Sequence, residues 1–184
     1  MTVVPLPLGE SAAPRVEVDV RPCDILRAEA DALGCVVTPG LEPDDQASRQ
    51  IFAAAGEQLR DDIRWALTRR GRPGLEPGEA LTVAVRREYP VGRVGFLMLA
   101  ASARGGTPEE AEALVVRAFI REAIEWGFES VALPVSESGL DVTLAVATRL
   151  LARLSAEERP LLLQRLQLLA RESDLLESRL DGIA

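Results

Sequence analysis

The chain has 184 residues, 47% of them apolar and 27% charged, which is the balance of one soluble globular domain with a sizeable core. It contains no histidine, lysine or asparagine, which excludes His-based triads and zinc sites, a phosphate-loop lysine and a Schiff-base lysine. Its 21 basic residues, all arginine, against 29 acidic ones leave a net charge of −8, which disfavours general binding to nucleic acid or to anionic membranes. Residues 1–14 have no basic start and no apolar run of signal length, and Pro5, Pro7 and Pro14 punctuate them. They read as a flexible lead-in to a single domain over 15–184, in a cytoplasmic protein. Apolar runs such as 94–101 are too short to span a bilayer. Cys23 and Cys35 read as reduced apolar fillers, not as a disulfide framework.

Residues 15–20 alternate apolar and polar side chains, which predicts a strand with one buried face. The apolar run at 33–37 predicts a second, more buried strand. Pro43, Asp44 and Asp45 then open a long helix that presents Ala47, Ile51, Ala54, Ala55, Leu59, Ile63, Ala66 and Leu67 on one face and ends near Arg70. Gly71, Pro73, Gly74, Pro77 and Gly78 force a loop. The arginines clustered at Arg69, Arg70 and Arg72 and at Arg86 and Arg87 read as a solvated loop and a strand end. Alternation returns over 79–87, and 94–100 is a continuous apolar strand. Thr107, Pro108 and Glu110 spell a capping box with proline in the first turn, so a helix runs from there to Trp126. Its polar stripe of Glu110, Arg117, Arg121 and Glu125 is narrow, as for a helix lying on a sheet. Gly127 stops it, 130–135 reads as a buried strand, and Gly139 introduces a helix to about Leu154. Beyond Pro160 the chain is rich in leucine and charge. Periodicity favours a helix there and leaves 166–170 open between helix and strand. Strands alternating with helices predict a three-layer α/β/α sandwich with a mixed, mostly parallel central sheet.

The order of certain short segments is the next signal. Cys23, Asp24 and Ile25 follow the first strand, and the stretch 30–38 opens with Ala30, Asp31 and Ala32. Ala54, Ala55 and Gly56 close a helical run, Gly78, Glu79 and Ala80 open a strand, and Tyr89 and Pro90 make a turn. The segment 127–140 ends in Pro134, Val135, Ser136, Glu137, Ser138, Gly139 and Leu140. In this order and at these spacings, over about residues 15–181, the chain resembles a macro domain, the ADP-ribose-binding module. The resemblance also fits 166–170 as a last strand and 172–180 as a last helix.

What the resemblance implies for the site is mixed. Asp24 corresponds to the carboxylate that accepts a hydrogen bond from the adenine amino group, and the Ile25 amide assists it. Ser136, Ser138, Gly139 and Leu140 correspond to a loop that grips a phosphate or sugar. The ribose-binding and catalytic asparagine falls near Thr38, and the chain has no asparagine. The first phosphate loop matches 40–49, where one glycine, Pro43 and the carboxylates of Glu42, Asp44 and Asp45 replace a glycine-rich stretch. Glu137 and Asp141 add negative charge to the second loop. The expectation is a non-hydrolytic domain with a degenerate ADP-ribose site, binding ADP-ribose or a related nucleotide-like small molecule and needing no cofactor. If the alignment holds, Glu42, Asp44, Asp45, Glu137 and Asp141 converge at one sheet edge. They read as a solvated acidic rim, with a divalent-cation site as the sharper alternative. A second functional class also stays open: a non-catalytic module with a dead cleft, whose leucines over 161–180 either cover the home sheet or face a second copy in a homo-oligomer.

Overall fold

A computed structural model describes residues 2–3, 16–22, 24–103, 105–135, 139–156 and 162–170. The elements in chain order are β1 (Thr2–Val3), β2 (Glu17–Pro22), a single 3₁₀ turn (Ile25–Arg27), β3 (Glu29–Val37), α1 (Gln46–Arg70), β4 (Ala80–Ala84), β5 (Arg93–Ala101), α2 (Pro108–Trp126), β6 (Ser130–Pro134), α3 (Leu140–Ala156) and β7 (Arg165–Ala170). The strands form one sheet in the order β1-β2-β7-β6-β3-β5-β4. From β2 to β5 every pairing is parallel, and the two edge strands, β1 and β4, run antiparallel to their neighbours. Thr2 and Val3, two residues of the expected lead-in, thus sit opposite Val20 and Asp19 as a short edge strand.

Parallel strands must be joined by crossovers, and the crossover helices cover both faces. On one face α2 and α3 pack Val115, Phe119, Ile120, Ala147 and Leu151 against Val18, Ala32, Met98, Leu133 and Leu168. On the other, α1 lays Ile51, Phe52, Leu59, Ile63 and Leu67 against Leu33, Cys35, Leu97, Leu99 and Leu81. This is the three-layer sandwich expected from the sequence. Among the described residues no helix is long and apolar enough to cross a membrane.

Several expectations hold in detail. The capping box is complete: Thr107 Oγ1 accepts the Glu110 N–H at 3.2 Å, and the Glu110 carboxylate accepts the Thr107 N–H at 2.9 Å. Residues 165–170 form β7, a central strand between β2 and β6 whose register pairs Leu166 with both Val18 and Val131. The ambiguity of this apolar run comes from its burial on both faces, which erases the period-2 signal. The last helix expected over 172–180 lies outside the described residues, as does Cys23.

Other expectations are corrected. The long helix is not continuous: Gly56 takes φ 68° and ψ −156°, a conformation open only to glycine, and breaks α1 into two segments. Strand β4 ends at Ala84, because the chain turns at 86–89 and Asp62 of α1 gathers in both Arg86 and the Tyr89 hydroxyl. The alternation of β2 does not put Asp19 in solvent; it is only 1% exposed, with one carboxylate oxygen bonded by the Arg21 guanidinium.

Candidate functional site

Five parallel strands point their C-terminal ends to one edge of the sheet, and helices α1, α2 and α3 begin there. An open α/β sheet places its ligand crevice along this edge. A cavity of about 340 Å³ lies there, lined by Val36 from β3, Asp44 and Asp45 before α1, Ser102 after β5, Pro108, Glu109, Ala111, Glu112 and Val115 from α2, Pro134 from β6, and Gly139 and Val142 at the start of α3. Asp24 stands at the same edge, just beyond the end of β2.

The loop between β3 and α1 folds back on the strand it leaves. Thr38 N–H donates to the Glu42 carbonyl at 2.8 Å, and Leu41 N–H donates to the Thr38 carbonyl at 2.8 Å. The Thr38 hydroxyl accepts the Glu42 N–H at 3.2 Å, and Asp44 N–H reaches the Val36 carbonyl at 3.0 Å. Pro43 bridges back to Val37, and Leu41 takes a left-handed φ of 69° at the tip. Thr38 therefore closes this turn and does not line the cavity.

Asp45 ends the loop as the N-cap of α1, its carboxylate accepting the Ser48 N–H at 2.6 Å. Ser48 is fully buried and its hydroxyl accepts the Val36 N–H at 2.7 Å, so the first turn of α1 is pinned to the end of β3. Burial raises the Asp45 pKa, against the lowering effect of the Ser48 hydrogen bonds and the Arg49 charge, and neighbouring Asp44 adds to the rise. Asp44 accepts a hydrogen bond from the Ser102 hydroxyl across the cavity floor. On the other wall Glu112 accepts the Thr143 hydroxyl at 2.9 Å and ties α2 to α3. Beneath the loop, Cys35 is buried and its thiol is pushed up to about 12, chiefly by desolvation.

Of the residues singled out in the sequence, Gly139 lines the cavity and Leu140 begins α3 beside it. Asp24 N-caps the 3₁₀ turn: its carboxylate accepts the Leu26 N–H at 3.0 Å and lies 3.8 Å from the Arg27 guanidinium. Ile25 is buried in the core under α1. Ser136, Glu137 and Ser138 lie outside the described residues. The acidic rim is drawn differently from the expectation. Asp44 and Asp45 line the cavity, whereas Glu42 turns to Arg60 at 3.2 Å and Asp141 does not line it. Among the described residues no three acidic or cysteine side chains form a group able to hold a metal ion.

The cavity also takes carboxylates from α2, Glu109 and Glu112, and the Ser102 hydroxyl, none of which stood out in the sequence. A usable signal was present: the capping box marks the start of a helix that follows a parallel strand, and its first turn must face the ligand edge. The arginine clusters are engaged elsewhere. Arg70 donates to the Ala80 carbonyl at 2.9 Å and approaches Glu122 at 3.6 Å, Arg69 stacks 4.8 Å from the Trp65 ring centre, and Arg72 pairs with Glu79.

Comparison with known proteins agrees with this fold. The macrodomain of Oceanobacillus iheyensis, solved with ADP, superposes with a TM-score of 0.65 at 16% identity, over 91% of this chain and 92% of that one. The macro domain of ganglioside induced differentiation associated protein 2 gives a TM-score of 0.69 at 16% identity, over 94% and 86% of the two chains. The Trypanosoma brucei macrodomain in complex with ADP-ribose gives 0.65 at 14% identity, over 91% and 69%. No family model matches the sequence, and no curated protein matches it. The chain has the macrodomain fold.

Proposed function

We propose that this chain binds a nucleotide-like small molecule, ADP-ribose or a relative of it, in the cleft at the C-terminal edge of its sheet, and does not hydrolyse it. The observation that carries the reading is the cavity of about 340 Å³, bounded by the starts of three helices in a fold whose solved relatives hold ADP or ADP-ribose. In this reading Asp24 accepts the amino group of a base at one end, and Gly139 and the Ser136 to Ser138 segment meet the sugar or phosphate at the other. The non-hydrolytic part rests on two features. The position that matches the family's asparagine falls near Thr38, whose hydroxyl is engaged by the Glu42 amide. The chain also has no histidine or lysine, and of the carboxylates among the described cavity residues Asp44, Asp45 and Glu112 already hold donors from Ser102, Ser48 and Thr143.

Thermal unfolding with adenosine, AMP and ADP-ribose tests the reading. A ligand at about a hundred times its dissociation constant adds about 2.7 kcal/mol, a readable rise in Tm for a domain of this size. At least one of the three should raise the Tm, and Ala111→Trp, which fills the cavity, should abolish the rise. No rise with any of them, or a rise untouched by Ala111→Trp, would defeat the proposal.

A further inference from the structure

We infer that Arg70 guards the β4 edge of the sheet: it keeps β4 from pairing with the β4 strand of a second copy of this chain.

An edge strand carries a row of backbone N–H and C=O groups with no neighbouring strand, which is a template for another one. Strand β4 pairs with β5 in a register that sets Leu81 opposite Leu99 and Val83 opposite Leu97. The flanking bonds run from the Val85 N–H to the Gly95 carbonyl at 2.9 Å and from the Ala101 N–H to the Glu79 carbonyl at 3.0 Å. Backbone groups alternate sides along a strand, so residues 79, 81, 83 and 85 bond to β5, and the groups of Ala80, Thr82 and Ala84 point away from the sheet. Edge strands commonly carry their own protection as a charge, a proline or a bulge. Residues 80–84 read Ala, Leu, Thr, Val, Ala, without charge or proline, and their register with β5 runs without a bulge. Such a strand is complementary to itself, because two antiparallel copies pair about a two-fold axis. This makes a second copy of the chain the natural occupant of the edge.

The protection comes from another element. Arg70, the last residue of α1, donates to the outward Ala80 carbonyl at 2.9 Å. Its guanidinium also stands 3.6 Å from the Glu122 Oε1 of α2. Helices α1 and α2 lie on opposite faces of the sheet, so this one side chain crosses the β4 edge from one helix layer to the other. The same Glu122 oxygen accepts the Thr82 hydroxyl at 2.7 Å and the Trp126 indole N–H at 3.1 Å, and Thr82, the middle residue of the edge, is only 6% exposed. A strand arriving at Ala80 must displace the guanidinium before it can bond. Arginine suits the task, since its planar fork gives one nitrogen to a carbonyl and another to a carboxylate.

Light scattering after size exclusion, run on the full chain over a concentration series, tests the inference. Arg70→Ala should approach twice the parent's mass at concentrations where the parent's mass stays constant. Ala84→Lys, which sets a charge on the exposed end of the edge, should return the Arg70→Ala chain to the parent's mass. Arg70→Met keeps the aliphatic stem and should behave as Arg70→Ala does, and the Tm of each variant separates pairing from unfolding. A mass equal to the parent's in both Arg70 variants overturns the inference. So does a rise that Ala84→Lys leaves in place, or one confined to variants that have lost the parent's cooperative melt.

Discussion

Gly34, in the middle of β3, owes its identity to what packs over it. A Cβ there would lie 2.8 Å from Leu133 Cδ2 and 3.1 Å from the Phe119 ring, so α2 can approach the sheet only over a bare backbone. Gly34→Ala is therefore overpacked and should lose about 1–3 kcal/mol in chemical denaturation. Glu122 poses the opposite problem, a buried carboxylate that must be satisfied. Its Oε1 accepts the Thr82 hydroxyl at 2.7 Å and the Trp126 indole N–H at 3.1 Å, and Arg70 lies 3.6 Å away. Glu122→Ala strands these donors and should cost about 1–3 kcal/mol by the same measurement, more than an exposed glutamate such as Glu125. Asp45 gives a pH signature. Burial raises its pKa above the ordinary 3.8, so its ionised form costs stability fully above the folded pKa and not at all below the unfolded one. Asp45→Asn keeps a good N-cap and removes the charge, so it should melt higher than the parent at pH 7 and lose that advantage as the pH falls toward 3.8. Asp62 has the opposite sign. Arg86 and the Tyr89 hydroxyl lower its pKa, so its contribution is present at neutral pH and fades as acid protonates it. Only the Trp126 contact of Glu122, one helical turn away, has a local spacing; the other partners of Glu122, Thr82 and Arg70, and those of Asp62, Arg86 and Tyr89, lie tens of residues away, where no local period points to them.

At the scale of elements, legibility follows the range of the forces that form each one. The start of α2 is written in four consecutive residues and is found as read, since a capping box is a local hydrogen-bond pattern. Strand β7 is not written locally. Its apolar run is buried on both faces, and only the pairing of β2 with β6 through it decides for strand over helix. The break in α1 falls between these cases. Gly56 is visible in the sequence, but one glycine inside an amphipathic pattern is equally compatible with an unbroken helix. Gly56→Ala separates a required break from a tolerated one. At φ 68° and ψ −156° an alanine is strained, so the variant should lose about 1–3 kcal/mol in denaturant, although alanine is the better helix former. A gain in stability would mean that the segment simply straightens.

For the whole molecule, fold and site are legible to different degrees for one physical reason. The fold emerges from the order of many weak signals, each independent of the others, and their sum survives at 14–16% identity to solved macrodomains. The site depends on a few side chains whose positions are set by turns. Thr38 occupies a sequence position that suggests ligand contact, and a tight turn removes it from the cavity. Glu109 and Glu112 stand in the first turns of α2 without a local signal that marks them, and the crossover geometry brings them to the cavity wall. The central claim is that a nucleotide-like ligand occupies this cleft, and amide chemical-shift mapping during titration with adenosine tests it most directly. Perturbation should concentrate at Val36, Ser102, Ala111, Gly139 and Val142, with no response at Leu67, Gly74 and Leu75 around the far end of α1. Shifts confined to that far end, or none at saturating adenosine, would contradict it.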